Sequence, residues 1–319
     1  MSGFHFLSDK TLEGLGIPQA DIADAIEDAL LAKKRGEVWT APKSALLPGD
    51  GRYMMTTLCA SDDPQITGVK AVTVSPRNPG RGLDAINGAI TLFDSETGLL
   101  KAVLEAGWVT AVRTAALSAV AARRLGNPQA ETIAFVGTGV QARSHLDAFK
   151  EIFPLKRIRA FGRGQANIDK LCAYAQERGL EADAASTAQD ALEGADIVVT
   201  SVTLDYSIEP FLDARWLKPG AFAAITDLGI PWLPETMKAF GQVFVDDREQ
   251  EAASPKKMIE PSLIKGDLTE MVAGDVAAGF DPASPACFIF RGLAIGDFAV
   301  AAMAYGQAMK KGLGTRVED

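Results

Sequence analysis

The run Thr132-Ile133-Ala134-Phe135-Val136-Gly137-Thr138-Gly139-Val140-Gln141-Ala142 leads five strand-forming residues into a Gly-x-Gly-x-x-Ala turn that opens a helix. That spacing is suited to holding a pyrophosphate. Gly137 permits the tight turn, Gly139 lets the backbone come close to the phosphates, and Ala142 lets the helix pack closely on the strand. The helix start adds unpaired N–H groups and the positive end of a dipole. Gly137, Thr138, Gly139, Val140 and Gln141 are therefore the candidate dinucleotide contacts. Roughly 20 residues further on, where a ribose-reading residue is expected, the next strand ends in Phe161-Gly162-Arg163-Gly164. An NAD site would carry Asp or Glu there to accept from the 2′-hydroxyl, whereas a 2′-phosphate needs small residues and a cation. NADP(H) is the expected cofactor, with NAD(H) second. Arg163 is the phosphate clamp, and Arg159 and Lys156 are lesser helpers.

The elements that must position this turn can be read from residue 131 to about 245. Strands are predicted at 132–136, 157–161, near 181–184, 196–201 and 221–226. Helices are predicted at 140–151, 165–178 and 187–193. Repeated βα units of this length mean a doubly wound parallel sheet, and Thr200 at the carboxyl end of its strand should face the cofactor crevice. The first 120 residues read differently. A helix at 18–34 is followed by strands near 37–46, 52–58, 66–73 and 87–93, punctuated by Pro, Gly and Asp. A long Ala-rich helix beginning near Thr110 should lead into the Rossmann domain, and a helix at about 293–311 should return to the first. The expected fold is α/β: a Rossmann domain over 121–289 beside an α+β domain formed by 1–120 and 290–319.

Composition narrows the function classes. A chain of 319 residues suits two domains, and 47% apolar and 23% charged residues are those of a globular protein of enzyme size. A net charge of −9 argues against a nucleic-acid surface. No apolar run is long enough to span a membrane and the N-terminus does not read as a signal peptide, so a cytoplasmic protein is expected. Cys59, Cys172 and Cys287 form no CxxC pair, so no disulfide framework and no metal site is expected, and all three are read as buried small hydrophobes. The two histidines, His5 and His145, give little material for a triad, and His145 is expected to be a partly exposed helix residue.

Several further motifs occur together and in order: Gly68-Val69-Lys70, Asn78-Pro79, Gly82-Leu83, Phe93-Asp94-Ser95-Glu96-Thr97-Gly98, Thr110-Ala111-Val112-Arg113-Thr114-Ala115-Ala116, and Gly292-Leu293-Ala294-Ile295-Gly296-Asp297. With the Gly137–Ala142 turn, they make the chain resemble the ornithine cyclodeaminase/mu-crystallin family along nearly its whole length. The resemblance implies a homodimer built through the first domain, which also binds substrate, a nicotinamide cofactor, and an amino acid or its imine as substrate. At matching positions Lys43, Lys70 and Arg113 would hold the substrate carboxylate, with Lys43 standing where the family usually has Arg. Arg113 would also lie near the cofactor. A cation in the first turn of a helix is unfavourable there, so Arg113 should be held by a carboxylate or phosphate. Met54, with Met55, Trp108 and Trp232, would line an apolar pocket.

One departure bears on the activity. Cyclodeaminases of the family carry an Asp in a motif resembling Val-Gly-Gly-Asp, but here the run is Asp227-Leu228-Gly229-Ile230-Pro231-Trp232 and the aligned residue is Gly229. The expected activity is thus NADP(H)-dependent reduction of a small 2-imino acid, for instance the cyclic ketimine pyrroline-2-carboxylate, to an L-amino acid. Lys70, Arg113 and Asp227 are the catalytic candidates, and the proton would come from Lys70, Asp227 or a water. The alternatives are ornithine cyclodeamination with the cofactor recycled, and mu-crystallin-like NADPH-dependent ligand binding.

Overall fold

Period-two alternation builds the first of two sheets. In the strand Gln65–Val74, Ile66, Gly68, Lys70 and Val72 are buried while their neighbours are half-buried or exposed, which fixes one face as interior. The protein was examined as a computed structural model that describes residues 3–203 and 207–318. The seven strands of this sheet lie in the order Thr315–Val317, Phe4–Leu7, Leu100–Glu105, Ile86–Phe93, Gln65–Val74, Tyr53–Asp62 and Val38–Leu46. All neighbours are antiparallel except Phe4–Leu7 beside Leu100–Glu105. Helices Gln19–Arg35 and Ala294–Lys310 pack on each other and against its strands, burying Ile22, Ile26, Leu30 and Phe298. Each such side chain taken from water contributes about 1.5–3 kcal/mol.

Helix Gly107–Leu125 begins at Gly107 because a side chain from far upstream caps it. Asp9 Oδ1 accepts from the Trp108 N–H at 2.8 Å, and a Cβ at residue 107 would sit 2.2 Å from Asp9 Oδ2. A cap of this kind is worth on the order of 1 kcal/mol.

The second sheet has eight parallel strands in the order Ile264–Asp267, Gln242–Val245, Ala286–Ile289, Phe222–Ile225, Ile197–Thr200, Thr132–Val136, Arg157–Phe161 and Glu181–Ala184. Its central strands are buried along their whole length, as a sheet covered on both faces requires. The strand order reverses direction between Thr132–Val136 and Ile197–Thr200, which is the switch point of a doubly wound fold. The chain divides into two compact units, one comprising residues up to Arg113 together with those from Leu293 onward, the other Thr114–Gly292.

Among the described residues no helix is long and apolar enough to cross a membrane, and no group of three His, Cys, Asp or Glu is placed to hold a metal ion. Cys59 and Cys287 are buried, but Cys172 is only half-buried. His145 is fully buried, contrary to the sequence reading. Its Nδ1 donates to the Gln141 carbonyl at 2.8 Å and its Nε2 accepts from the Ser118 hydroxyl at 2.9 Å. The helix turns His145 toward Ser118 of the preceding helix, and burial pushes its imidazole down to about 4.

Candidate active site

In the first unit the register sets Thr57 opposite Lys70 and Cys59 opposite Gly68, on the buried face of the sheet. Lys70 thus occupies a position that alternation reserves for an apolar side chain. Asp297, in the first turn of the C-terminal helix, meets it there: Lys70 Nζ donates to Asp297 Oδ1 at 2.7 Å, and Thr57 Oγ1 donates to Asp297 Oδ2 at 3.1 Å. Arg113 Nε lies 2.9 Å from Asp297 Oδ1 as an ion pair, but its N–H is out of line and has no hydrogen-bond acceptor. The carboxylate that Arg113 was expected to need is therefore Asp297. Side-chain exposures of 2% for Lys70, 6% for Asp297 and 9% for Arg113 make this a desolvated ion cluster.

Two buried cations share one buried anion, so a positive charge is left over. Lys43 adds to it, half-buried at a register shift in Val38–Leu46 and within electrostatic reach of both Lys70 and Asp297. Burial pushes the Lys70 ammonium down to about 8, with Asp297 opposing and Arg113 and Lys43 assisting. Burial alone would raise the Asp297 carboxyl, but Lys70 and Arg113 hold it below its ordinary value. Excess positive charge and an unmatched donor in a dry environment suit a small carboxylate ligand. Met54 does not join this cluster. Strand parity puts it on the face opposite Thr57 and Lys70, where it is 45% exposed.

In the second unit the Gly137–Ala142 turn sits at the switch point. Gly137 has φ of 95°, and a Cβ there would lie 2.5 Å from the Ser201 carbonyl oxygen, so only glycine fits. Helix Val140–Ile152 starts from Gly139 with no side-chain cap, and nothing lies within 4 Å of where a Gly139 Cβ would be. Thr138 is buried, Val140 is exposed, and Gln141 is half-buried with an Oε1 that meets no partner. An uncapped helix start beneath an open glycine fits a dinucleotide pyrophosphate. Arg163 is exposed and, among the described residues, makes no hydrogen bond or ion pair. The lesser helpers are committed elsewhere, Lys156 to Glu131 and Arg159 to the Glu193 carbonyl.

Two expectations for this unit need correcting. Thr200 is completely buried, so it does not line an open crevice. Its hydroxyl donates to Asp227 Oδ1 at 3.1 Å and accepts from Trp232 Nε1 at 3.3 Å. Asp227 is buried as well, its Oδ2 accepting from the Val202 N–H at 3.0 Å, so its oxygens close the loop after Thr200. Burial pushes the Asp227 carboxyl up to about 6 against these hydrogen bonds. Trp232, proposed as pocket lining, is core. At residue 229 the backbone is left-handed, with φ of 70°, and a Cβ would meet Ile289 Cδ1 at 2.9 Å. A side chain there would have to displace the tip of Ile289.

Asp297 was the site residue missed. Its signals were Arg113, an unfavourable cation needing an anion, and a lone carboxylate in the apolar run Ala294-Ile295-Gly296-Asp297-Phe298-Ala299-Val300.

A parallel doubly wound domain with a glycine turn at its switch point, in a chain whose other unit carries a buried cation cluster, defines a class of two-unit α/β proteins. Residues 7–312 match the model of the ornithine cyclodeaminase/mu-crystallin family, and the chain belongs to that family. It is 31% identical over 258 residues to the ketimine reductase mu-crystallin of Rattus norvegicus, covering 79% of each chain. Its fold superposes on Delta(1)-pyrroline-2-carboxylate reductase of Thermococcus litoralis, solved with NADH and L-proline, with a TM-score of 0.90 and 25% identity over 98% of this chain and 100% of that one. An archaeal alanine dehydrogenase dimer with bound NAD gives a TM-score of 0.88 and 26% identity over 99% of each chain.

Proposed function

We propose that the protein is an NADP(H)-dependent oxidoreductase that reduces a small 2-imino acid, a cyclic ketimine such as pyrroline-2-carboxylate, to the L-amino acid. The observation that carries this reading is the Lys70–Arg113–Asp297 cluster, with its surplus positive charge and its unmatched Arg113 N–H. The reductases named above support it. In this reading Lys43 and Arg113 hold the substrate carboxylate, and Arg113 donates the N–H that Asp297 leaves unused. Lys70, fixed by Asp297, donates a hydrogen bond to the imine nitrogen and carries a proton that can be delivered there. Gly137, Thr138, Gly139, Val140 and Gln141 bind the dinucleotide, which supplies the hydride, and Arg163 holds its 2′-phosphate. The free guanidinium of Arg163 favours NADP(H), although the solved neighbours carry NAD(H).

The loop at Asp227 weighs against cyclodeamination, because its carboxylate is already bonded to Thr200 and Val202 and residue 229 is a glycine. We further propose a cytoplasmic homodimer formed through the outer face of the antiparallel sheet, where Trp39, Met54 and Leu58 are 45% or more exposed. The test is loss of the reduced-nicotinamide absorbance with NADPH or NADH against a panel of cyclic and linear 2-imino acids, beside an ammonia assay with L-ornithine and NAD. NADPH consumption with a cyclic ketimine is expected. Ammonia from ornithine without net cofactor change would overturn the reading.

A further inference from the structure

Behind Lys70 the buried face of the first sheet is not filled. A cavity lined by Thr57, Cys59, Gly68, Lys70, Asp297 and Phe298, among others, leaves about 10 Å³ for the centre of a water molecule. That is about what one water needs on this measure. Gly68 lines this room, and a Cβ there would take part of it, lying 3.3 Å from Leu92 Cδ2 and 3.7 Å from Phe298 Cδ2. The hydrogen bonds around the cavity are incomplete. The Lys70 ammonium has three donors and is almost wholly buried, yet among the described residues it makes one hydrogen bond, to Asp297 Oδ1. Thr57 Oγ1 gives its proton to Asp297 Oδ2 and keeps its lone pairs.

We propose that a resident water occupies this cavity, accepting from the Lys70 ammonium and donating to Thr57 Oγ1, and that Gly68 is the positioning residue that keeps room for it. With Asp297 and the water each taking one N–H, the third is directed to the imine. Only this last consequence rests on the imino-acid reading. A water here has the two or more polar partners that a buried water requires, and Cys59 Sγ is a further weak one. It also explains how a lysine tolerates an interior position with a single protein acceptor: an unsatisfied buried N–H is costly, and one water relieves it.

The test needs no substrate. Crystal structures of the wild type and of Gly68→Ala, at a resolution that shows ordered water, should reveal one water within hydrogen-bond distance of Lys70 Nζ and Thr57 Oγ1 in the first and none in the second. In parallel, the ε-carbon resonance of Lys70, assigned by comparison with Lys70→Met, should titrate about one pH unit lower in Gly68→Ala, because the ammonium has lost an acceptor. A wild-type cavity free of density would overturn the proposal, and this arm stands even if Gly68→Ala fails to fold. An unchanged Lys70 titration in a folded Gly68→Ala would overturn it too. Finding the water and the shift in a protein that turns over no imino acid would retire the proposed function and leave the water in place.

Discussion

Two buried aspartates, one in each unit, show how neighbours decide what a carboxylate can do. Asp297 is surrounded by charge: Lys70 and Arg113 lie at ion-pair distance and hold its carboxyl below the ordinary value. Asp227 is surrounded by neutral donors, a threonine hydroxyl and a backbone N–H, and burial pushes it up to about 6. Hydrogen bonds from uncharged groups offset less desolvation than two cations do. The first therefore serves as a counter-ion to two buried cations. The second fixes a loop.

The largest expected effect comes from removing what Asp297 orients. Lys70→Met should lower kcat/KM for imine reduction by about 10³-fold or more, roughly 4 kcal/mol of transition-state stabilisation. Fluorescence titration should show unchanged dinucleotide affinity, since the Gly137–Gln141 turn does not include Lys70. Turnover within tenfold of wild type would remove Lys70 from the mechanism. In the wild type, kcat/KM should fall as pH rises through about 8, where the depressed Lys70 ammonium loses its proton.

Next in size is the counter-ion itself. Asp297→Ala leaves Lys70 and Arg113 buried without an anion and should cost about 3–5 kcal/mol in urea unfolding. A loss below about 1 kcal/mol would mean that the cluster is wetter than its exposures indicate.

The scaffold was more legible in the sequence than this cluster. The glycine turn and the strands at 132–136, 157–161 and 181–184 agree with the structure residue for residue: the first is a buried apolar run, and the other two follow it at the spacing of βα units. The strands Phe4–Leu7 and Ala286–Ile289 were not read. Lys43, Lys70 and Arg113 were singled out in the sequence, and in the structure Lys70 and Arg113 lie at ion-pair distance from one carboxylate, with Lys43 in electrostatic reach. Asp297 was not singled out, because an acidic residue in a first helical turn has an ordinary explanation as a partner of the helix dipole. Its actual partners lie 227 positions away for Lys70 and 240 for Thr57. Thr200 and Asp227 failed in a different way. Their place at strand ends is as expected, but which way a side chain turns at a strand end depends on the loop beyond, and the left-handed residues Leu228 and Gly229 set that loop.

The two aspartates should also differ in the sign of their pH dependence. Asp227 has a folded value near 6 above an ordinary 3.8, so the folded state binds its proton more tightly. Its stabilising contribution is complete below about 3.8 and is lost as pH rises through about 6, an effect of about 3 kcal/mol. Asp297 is depressed, so its contribution is present above 3.8 and is lost as pH falls through its lower folded value. Urea unfolding of wild type and Asp227→Asn across pH 4–7 should show the wild type losing stability relative to the variant as pH rises. Parallel profiles would mean that Asp227 is not buried as a titrating acid.

The smallest effect concerns the converse pair, two arginines of opposite circumstance. Arg113 is buried against its carboxylate, whereas Arg163 is exposed with no partner among the described residues, so in the proposed reading its contribution depends on a ligand that brings the anion. An exposed guanidinium gains little from ion pairing in water, but a 2′-phosphate presents several acceptors to a fork of donors. Arg163→Ala should weaken NADPH binding by about 10- to 30-fold, roughly 1.4–2 kcal/mol, and leave NADH within about threefold, read from the two dissociation constants. Equal losses for both dinucleotides would place Arg163 on the shared pyrophosphate. No loss for either would return the cofactor preference to NAD(H).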